Sequence, residues 1–262
     1  MTITKEDRHK LILDSLHRHE AMQVSELAAL LDVSTVTIRK DLTELEKANK
    51  LYRSHGRAIL INPYINNRSV NEKEHLARQE KEEIGRYAAT LIDKNDSIII
   101  ASGTTVLAFA RAIVPKHRLN VISASLQVSE LLGANESIDI MQLGGSLRSS
   151  SLSVVGKVAE APLYELSCSK LFLGVDGIDL DFGITTTDMR EANLNKVMMR
   201  TAQKTIVLAD SSKFRRRGFS KIANITDVDM IITDSNIPDR VARQLEENGI
   251  DVKIVDVDAA IQ

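Results

Sequence analysis

The sequence predicts an α/β protein in two parts, a small helical head closed by a hairpin and a larger, mainly parallel sheet domain. Two observations carry this reading. From Lys5 to about Lys50 the apolar residues recur at helical spacing, and the segment holds no Gly or Pro. Beyond Glu80, short and nearly continuous apolar runs alternate with helical stretches, the pattern of a parallel sheet covered on both faces. Between them lies NPYINNRSVNEKEHLARQE (62–80), polar, asparagine-rich and weakly periodic, which reads as a linker. The predicted boundaries are therefore 1–61 for the head, 62–80 for the linker and 81–262 for the α/β domain.

In the head, Leu11, Ile12 and Leu16 mark a first helix and Val24, Leu27, Leu30 and Leu31 a second. Ser34 is a good N-cap for a third helix, in which Ile38, Leu42 and Leu45 form a buried stripe at i, i+4, i+7. That stripe leaves Thr35, Thr37, Arg39, Lys40 and Thr43 facing outward. Small hydroxyl residues and paired cations at the start of a helix suit the major groove, where they reach base edges and phosphates without bulk. Taken alone, the same residues fit a solvated helix face equally well. LYR (51–53) and AILI (58–61) then flank the turn SHGR (54–57), which reads as a hairpin. Three helices, a three-residue turn and a hairpin together make a winged helix-turn-helix, with Ser34, Thr35, Thr37, Arg39 and Lys40 on the reading helix and Arg53, His55 and Arg57 at the wing.

The charge needs to be divided before it says anything. The 262 residues carry a net charge of −2, which excludes a basic coat over the whole molecule. Residues 1–60 hold ten Lys/Arg against nine Asp/Glu, and residues 35–57 hold six against three. So small a basic patch per chain binds duplex weakly, because affinity rests largely on the phosphates neutralised. Operator binding is therefore expected from a homo-oligomer, a dimer or tetramer, and is expected to weaken as salt rises. Aromatic residues are 3% with no Trp, which argues against base-stacking platforms for single strands. The one cysteine, Cys168, forms no internal disulfide or Cys-based zinc site, and the six histidines make no ligand set, so no metal or cofactor is expected. No apolar run approaches a membrane span and the first residues are too acidic and polar for a signal peptide, so a cytoplasmic protein with no membrane partner is expected.

In the larger domain the strand candidates are 97–101, 119–123, 138–143, 170–175, 205–209, 229–233 and 252–255. Helices are expected over 81–92, 106–114, 126–132, 189–203 and 239–248. The segment IASGTT (100–105) joins strand directly to helix. Gly103 lets the backbone approach a ligand, the following amides open a helix, and Ser102, Thr104 and Thr105 add hydroxyls, so the place suits a phosphate. It is not a Walker loop, and by itself it also fits an ordinary strand-to-helix turn. Further polar residues follow the other strands: Ser125 after the second, Gly144 and Gly145 after the third, Asp176 and Gly177 after the fourth, Lys213 after the fifth. In a parallel sheet these carboxyl ends share one edge, where ligands bind. Lys213 suits a phosphate or sugar oxygen and Asp176 suits hydroxyls. Glu191, early in a helix, reads first as a capping partner of Asp188 and otherwise as a contact to the effector.

VSTVTIRKDL (33–42), Leu45-Glu46 and LYRSHG (51–56) resemble the amino-terminal signature of DeoR-type transcriptional repressors. Asn49 stands where a glycine is common, and Arg57 replaces the second glycine of His-Gly-Gly. The effector domain of that family resembles SGTT (102–105), LGG (143–145), FLGVDGID (172–179), GITT (183–186), LADSSK (208–213) and ITD (232–234), in order. The resemblance spans nearly the whole chain. It implies a domain similar to ribose-5-phosphate isomerases and CoA transferases that binds a phosphorylated sugar effector and then releases the repressor from double-stranded operator DNA. The expected function is thus a non-enzymatic repressor of a carbohydrate catabolic operon. Its alternative is a sugar-phosphate isomerase with an appended DNA-binding module, with Asp176, Asp179, Glu191 and Lys213 as groups for an enediol mechanism. An activator, or a regulator of an unphosphorylated ligand, fits the same residues.

Overall fold

The chain was described as a computed structural model, which covers residues 4–19, 21–48, 50–54, 56–60 and 70–257. It divides into two compact units with the boundary between Asn66 and Asn67. The first holds α1 (Lys5–His19), β1 (Ala21–Gln23), α2 (Val24–Leu30), α3 (Thr35–Lys47), β2 (Leu51–Ser54) and β3 (Arg57–Leu60). Ser34 caps α3, its hydroxyl accepting from Thr37 N at 3.1 Å. β2 and β3 form the predicted hairpin, and β1 adds a third strand against β3 that the sequence did not suggest. Ile12, Leu16, Leu27, Leu31, Ile38, Leu42, Leu45 and Leu51 close the core beneath them. His55 and Asn49 lie outside the described residues.

The second unit opens with α4 (Val70–Glu74) and α5 (Arg78–Ala89). Residues 70–80 of the stretch read as linker are thus largely helical and belong to this unit. The chain continues through β4 (Ser97–Ile100), α6 (Thr104–Ala112), β5 (Leu119–Ser123), α7 (Leu126–Gly133), β6 (Ile138–Gln142), β7 (Ser146–Arg148), β8 (Ser153–Val155) and α8 (Lys157–Glu160). It ends with β9 (Cys168–Gly174), β10 (Gly177–Asp179), β11 (Gly183–Thr186), α9 (Met189–Thr201), β12 (Ala202–Leu208), β13 (Ser220–Ala223), β14 (Met230–Asp234), α10 (Asp239–Glu247) and β15 (Asp251–Val255). All seven predicted strands form one parallel sheet in the order β15-β14-β12-β9-β4-β5-β6. β7 pairs with β8, and β10-β11-β13 make a small antiparallel sheet.

The inner strands read as nearly continuous apolar runs because both faces are covered. Ile99, Leu171, Leu173 and Val207 pack under α9 and α10, while Ile98, Ile100, Phe172 and Ile206 pack under α5, α6 and α7. α6 lies close on α5 because Gly85 has no side chain: a Cβ there meets Phe109 N at 2.6 Å and Ala108 C at 2.7 Å. Gly85→Ala is therefore expected to cost about 1–3 kcal/mol, as overpacking typically does. A denaturant titration checks it, and an unchanged midpoint contradicts the close approach.

The chain runs β4, β5, β6 to one side, then returns to β9 on the other side of β4 and proceeds to β12, β14 and β15. The strand order therefore reverses between β4 and β9. In an open α/β sheet this switch point leaves a crevice outside the carboxyl ends of the two strands.

Candidate functional site

Ser102, Gly103, Thr104 and Thr105 leave the end of β4, and Val175 and Asp176 leave the end of β9, so the two sequences of greatest polar density meet in that crevice. Gly103 carries φ +121° with open space where a Cβ would stand, and α6 starts behind it without a side-chain cap. The first amides of a helix have no intrahelical acceptor, so an uncapped start facing a cavity offers donors to an anion. α7 differs: Ser125 caps it, accepting from Val128 N, and is buried away from the cavity lining.

Around this turn the cavity is lined by Lys73, Arg148, Ser150, Ser151, Thr186, Glu191 and Lys213. Its volume is about 50 Å³. Lys73 Nζ donates to Asp176 Oδ1 at 2.7 Å. The Thr186 hydroxyl stands 3.1 Å from Asp176 Oδ2 and 3.2 Å from Glu191 Oε2. Ser102 Oγ donates to Glu191 Oε1 at 2.9 Å, and Arg148 Nη1 lies 3.2 Å from Glu191 Oε2. Burial by itself raises the Asp176 carboxyl, but the ammonium groups of Lys73 and Lys213, with hydrogen bonds from Lys73 and Thr186, hold it below the usual carboxylate range. Glu191 goes the other way: burial first, then the charge of Asp176, push it up against the pull of Arg148 and Ser102.

Glu191 corrects the sequence reading. Asp188 does cap α9, accepting from Arg190 N and Glu191 N. The Glu191 carboxylate, however, turns into the cavity rather than back to the cap. Five other residues named from the sequence, by contrast, do not line the cavity. Gly145 sits at φ +136° with Val155 O 2.8 Å from its absent Cβ, and Gly144 beside it is exposed, so both serve the β7–β8 hairpin. At Gly177 an added Cβ would stand 2.5 Å from Arg216 O, and Ser125 is the cap already described. Asp179 accepts from the amides of Asp181 and Phe182 and pairs with Arg217.

Lys213 stands 3.9 Å from Asp210 Oδ2. Lys73, Arg148, Thr186, Ser150 and Ser151 were not singled out from the sequence. Arg148 comes from the β7–β8 hairpin and also reaches Asp188 and Thr187. Behind Lys73, the buried Lys81 ammonium donates to the carbonyls of Lys73 and Leu76, and burial lowers it to about 8 against the opposing charge of Asp210.

In the head, Thr35, Arg39 and Lys40 are exposed along one side of α3. Val36, 59% exposed, joins them there and was passed over in the sequence because it is apolar. Ser34 and Thr37 spend their hydroxyls on each other and on the cap. Arg57 is exposed, whereas Arg53 is held by Glu46 through its backbone N at 3.0 Å and its Nε at 2.8 Å.

A winged helix-turn-helix followed by an α/β domain with a polar switch-point crevice is the build of a DNA-binding transcriptional regulator. Residues 8–64 match the DeoR-like helix-turn-helix domain and residues 76–235 match the DeoR C terminal sensor domain. The chain belongs to the DeoR family. It is 35% identical over 249 residues to the HTH-type transcriptional regulator YulB of Bacillus subtilis (strain 168), covering 95% of this chain and 96% of that protein. It is 31% identical to the glycerol-3-phosphate regulon repressor of Haemophilus influenzae, covering 92% and 93%. Among solved structures, ribose 5-phosphate isomerase A from Methanocaldococcus jannaschii overlaps 53% of this chain and 55% of its own, with TM-score 0.40 and 18% identity. Among the described residues, no helix is long and apolar enough to cross a membrane.

Proposed function

We propose that this regulator represses a carbohydrate catabolic operon, binds its operator as an oligomer, and is released when a phosphorylated sugar occupies the crevice between β4 and β9. The observation that carries the reading is the uncapped start of α6 behind Gly103, with the cations Lys73 and Lys213 and the carboxylate Asp176 around the same cavity. The phosphate is taken by the α6 amides, Ser102, Thr104, Thr105 and Lys213. Asp176 accepts from sugar hydroxyls. One relative has a phosphorylated compound in its name, as the regulon that relative represses. Thr35, Arg39 and Lys40 reach base edges and phosphates, and Val36 suits a thymine methyl. Arg57 contacts a phosphate from the wing, and Arg53 does so only by leaving Glu46. The isomerase alternative loses ground because Asp179, one of its acid–base candidates, is engaged by turn amides and Arg217.

The test starts from a duplex that the full-length protein itself selects from a random-sequence pool. A panel of sugar phosphates is then titrated at fixed salt. One member is expected to lower duplex affinity and raise the thermal midpoint, since a ligand bound only by the folded state stabilises it. Lys213→Ala is expected to weaken that thermal response on the order of tenfold in ligand concentration, the loss of one charge-assisted contact. If no duplex is selected, or no sugar phosphate acts on either readout, the proposal fails.

A further inference from the structure

The crevice as folded is too small for the ligand proposed for it. Its cavity is about 50 Å³, whereas pockets that hold small molecules run to roughly 300–1,000 Å³. α4 forms one wall of it, through Val70 and Lys73.

α4 has five residues, too few to be stable alone, so its place depends on what ties it down. Polar contacts to four different elements do so. Lys73 Nζ reaches Asp176 after β9 at 2.7 Å. Val70 N donates to Ser150 O, in the β7–β8 loop, at 2.7 Å. Lys81 of α5 holds the carbonyls of Lys73 and Leu76, and Arg111 of α6 donates to Glu74 Oε1 at 2.7 Å. The first of these ties is the vulnerable one. A phosphate dianion at the start of α6 competes with Asp176 for the Lys73 ammonium, and α4 borders the cavity through the residue that carries it. In chain order α4 is the first described element after the wing, with nine residues between Leu60 and Val70.

We infer that α4 is a strap whose seating on Asp176 through Lys73 defines the operator-binding form, and that the effector releases the DNA by taking Lys73 and lifting the strap. This rests on the effector reading above. It makes Lys73 a coupling residue, with a signature that a ligand contact alone does not have: losing it weakens operator binding before any sugar is added.

The experiment measures affinity of the full-length protein for the selected duplex with no sugar present. Lys73→Met is expected to bind on the order of tenfold more weakly, within the usual range of coupling between two sites. Lys73→Arg is expected to restore binding, and the exposed Lys94→Met, which removes the same charge elsewhere, to match the native protein. A Lys73→Met protein with native circular dichroism and native duplex affinity overturns the inference. A second measurement needs no variant: hydrogen exchange at residues 70–77 is expected to quicken several-fold when the sugar phosphate that raises the thermal midpoint is added to the native protein. Unchanged or slower exchange there also overturns it. These outcomes differ from failure of the effector reading, in which the native protein selects no duplex or answers no sugar phosphate.

Discussion

Asp41→Asn is expected to unfold the DNA-binding head while leaving the sensor domain folded. Asp41 lies on the inner side of α3 between Ile38 and Leu42 and is 2% exposed. Its carboxylate accepts from Arg8 Nε and from Arg8 Nη2 at 2.8 Å, with His9 Nε2 at 3.2 Å. The pair therefore clamps α1 to the reading helix. Burial raises the Asp41 carboxyl, but the hydrogen bond and charge of Arg8 outweigh it and the net shift is downward. Breaking a buried pair from one side costs about 3–5 kcal/mol, and the slight water access of Arg8 puts this one near the lower figure. A unit of this size has only a few kcal/mol to lose. Urea titration of the full chain is expected to show an early transition absent from the native protein, with specific duplex binding lost and the later transition unmoved. A single native-like transition contradicts the clamp. The sign with pH follows from the downward shift. The folded pKa lies below the unfolded 3.8, so the stabilisation is complete above about pH 5 and fades as pH falls through that range.

The large sheet was legible because its inner strands, β4 and β14 most fully, are buried on both faces and leave an apolar run as the signal, while the edge strands β6 and β15 were read from shorter apolar stretches between helices. β7, β8, β10, β11 and β13 were not, since each has only three or four residues of mixed type and no periodicity to read. The head was legible from helical spacing and the Ser34 cap. At the site, the residues next to strand ends were found by position: Ser102 to Thr105, Asp176 and Lys213. Lys73 and Arg148 were not, because they reach the crevice from a short helix and a side hairpin, and a charged residue in a polar stretch reads as solvated until topology turns it inward. Lys81 is the extreme case, a buried lysine inside RQEKEE. For Ser125 the signal was present: a serine just before a predicted helix at 126 is an N-cap by the same rule applied to Ser34. For Glu191 the capping rule misled, because its position in the first turn of α9 is also the position that overlooks the end of β4.

Glu191→Gln and Asp176→Asn are expected to change stability in opposite directions, although the two carboxylates share one hydroxyl. Thr186 Oγ1 has a single proton and stands within 3.2 Å of both. Two carboxylate anions leave one of them without that donor. Thr186 offers that proton to either carboxylate, and each has other donors: Ser102 and Arg148 at Glu191, Lys73 at Asp176. Burial and the charge of Asp176 raise Glu191, while Lys73 and Lys213 outweigh burial at Asp176. A carboxyl whose folded pKa exceeds its unfolded value of 4.5 weakens the fold as pH rises from there to the folded pKa, and the cost is complete above it. Glutamine copies the protonated form and escapes that cost. Glu191→Gln is expected to raise the thermal midpoint at pH 8 and to lose that gain as pH falls toward 4.5. Asp176→Asn leaves the partly buried Lys73 ammonium unpaired and is expected to cost about 2–3 kcal/mol at pH 7, at the low end for breaking such a pair because both groups keep some access to water. That deficit shrinks as pH drops below the unfolded value of 3.8, where the unfolded chain takes up a proton that folded Asp176 does not, and it is gone once pH falls through the folded value. Thermal melts of the two variants and the native chain from pH 4 to pH 8 separate the cases, and a Glu191→Gln midpoint below the native one at pH 8 contradicts the upward shift of Glu191.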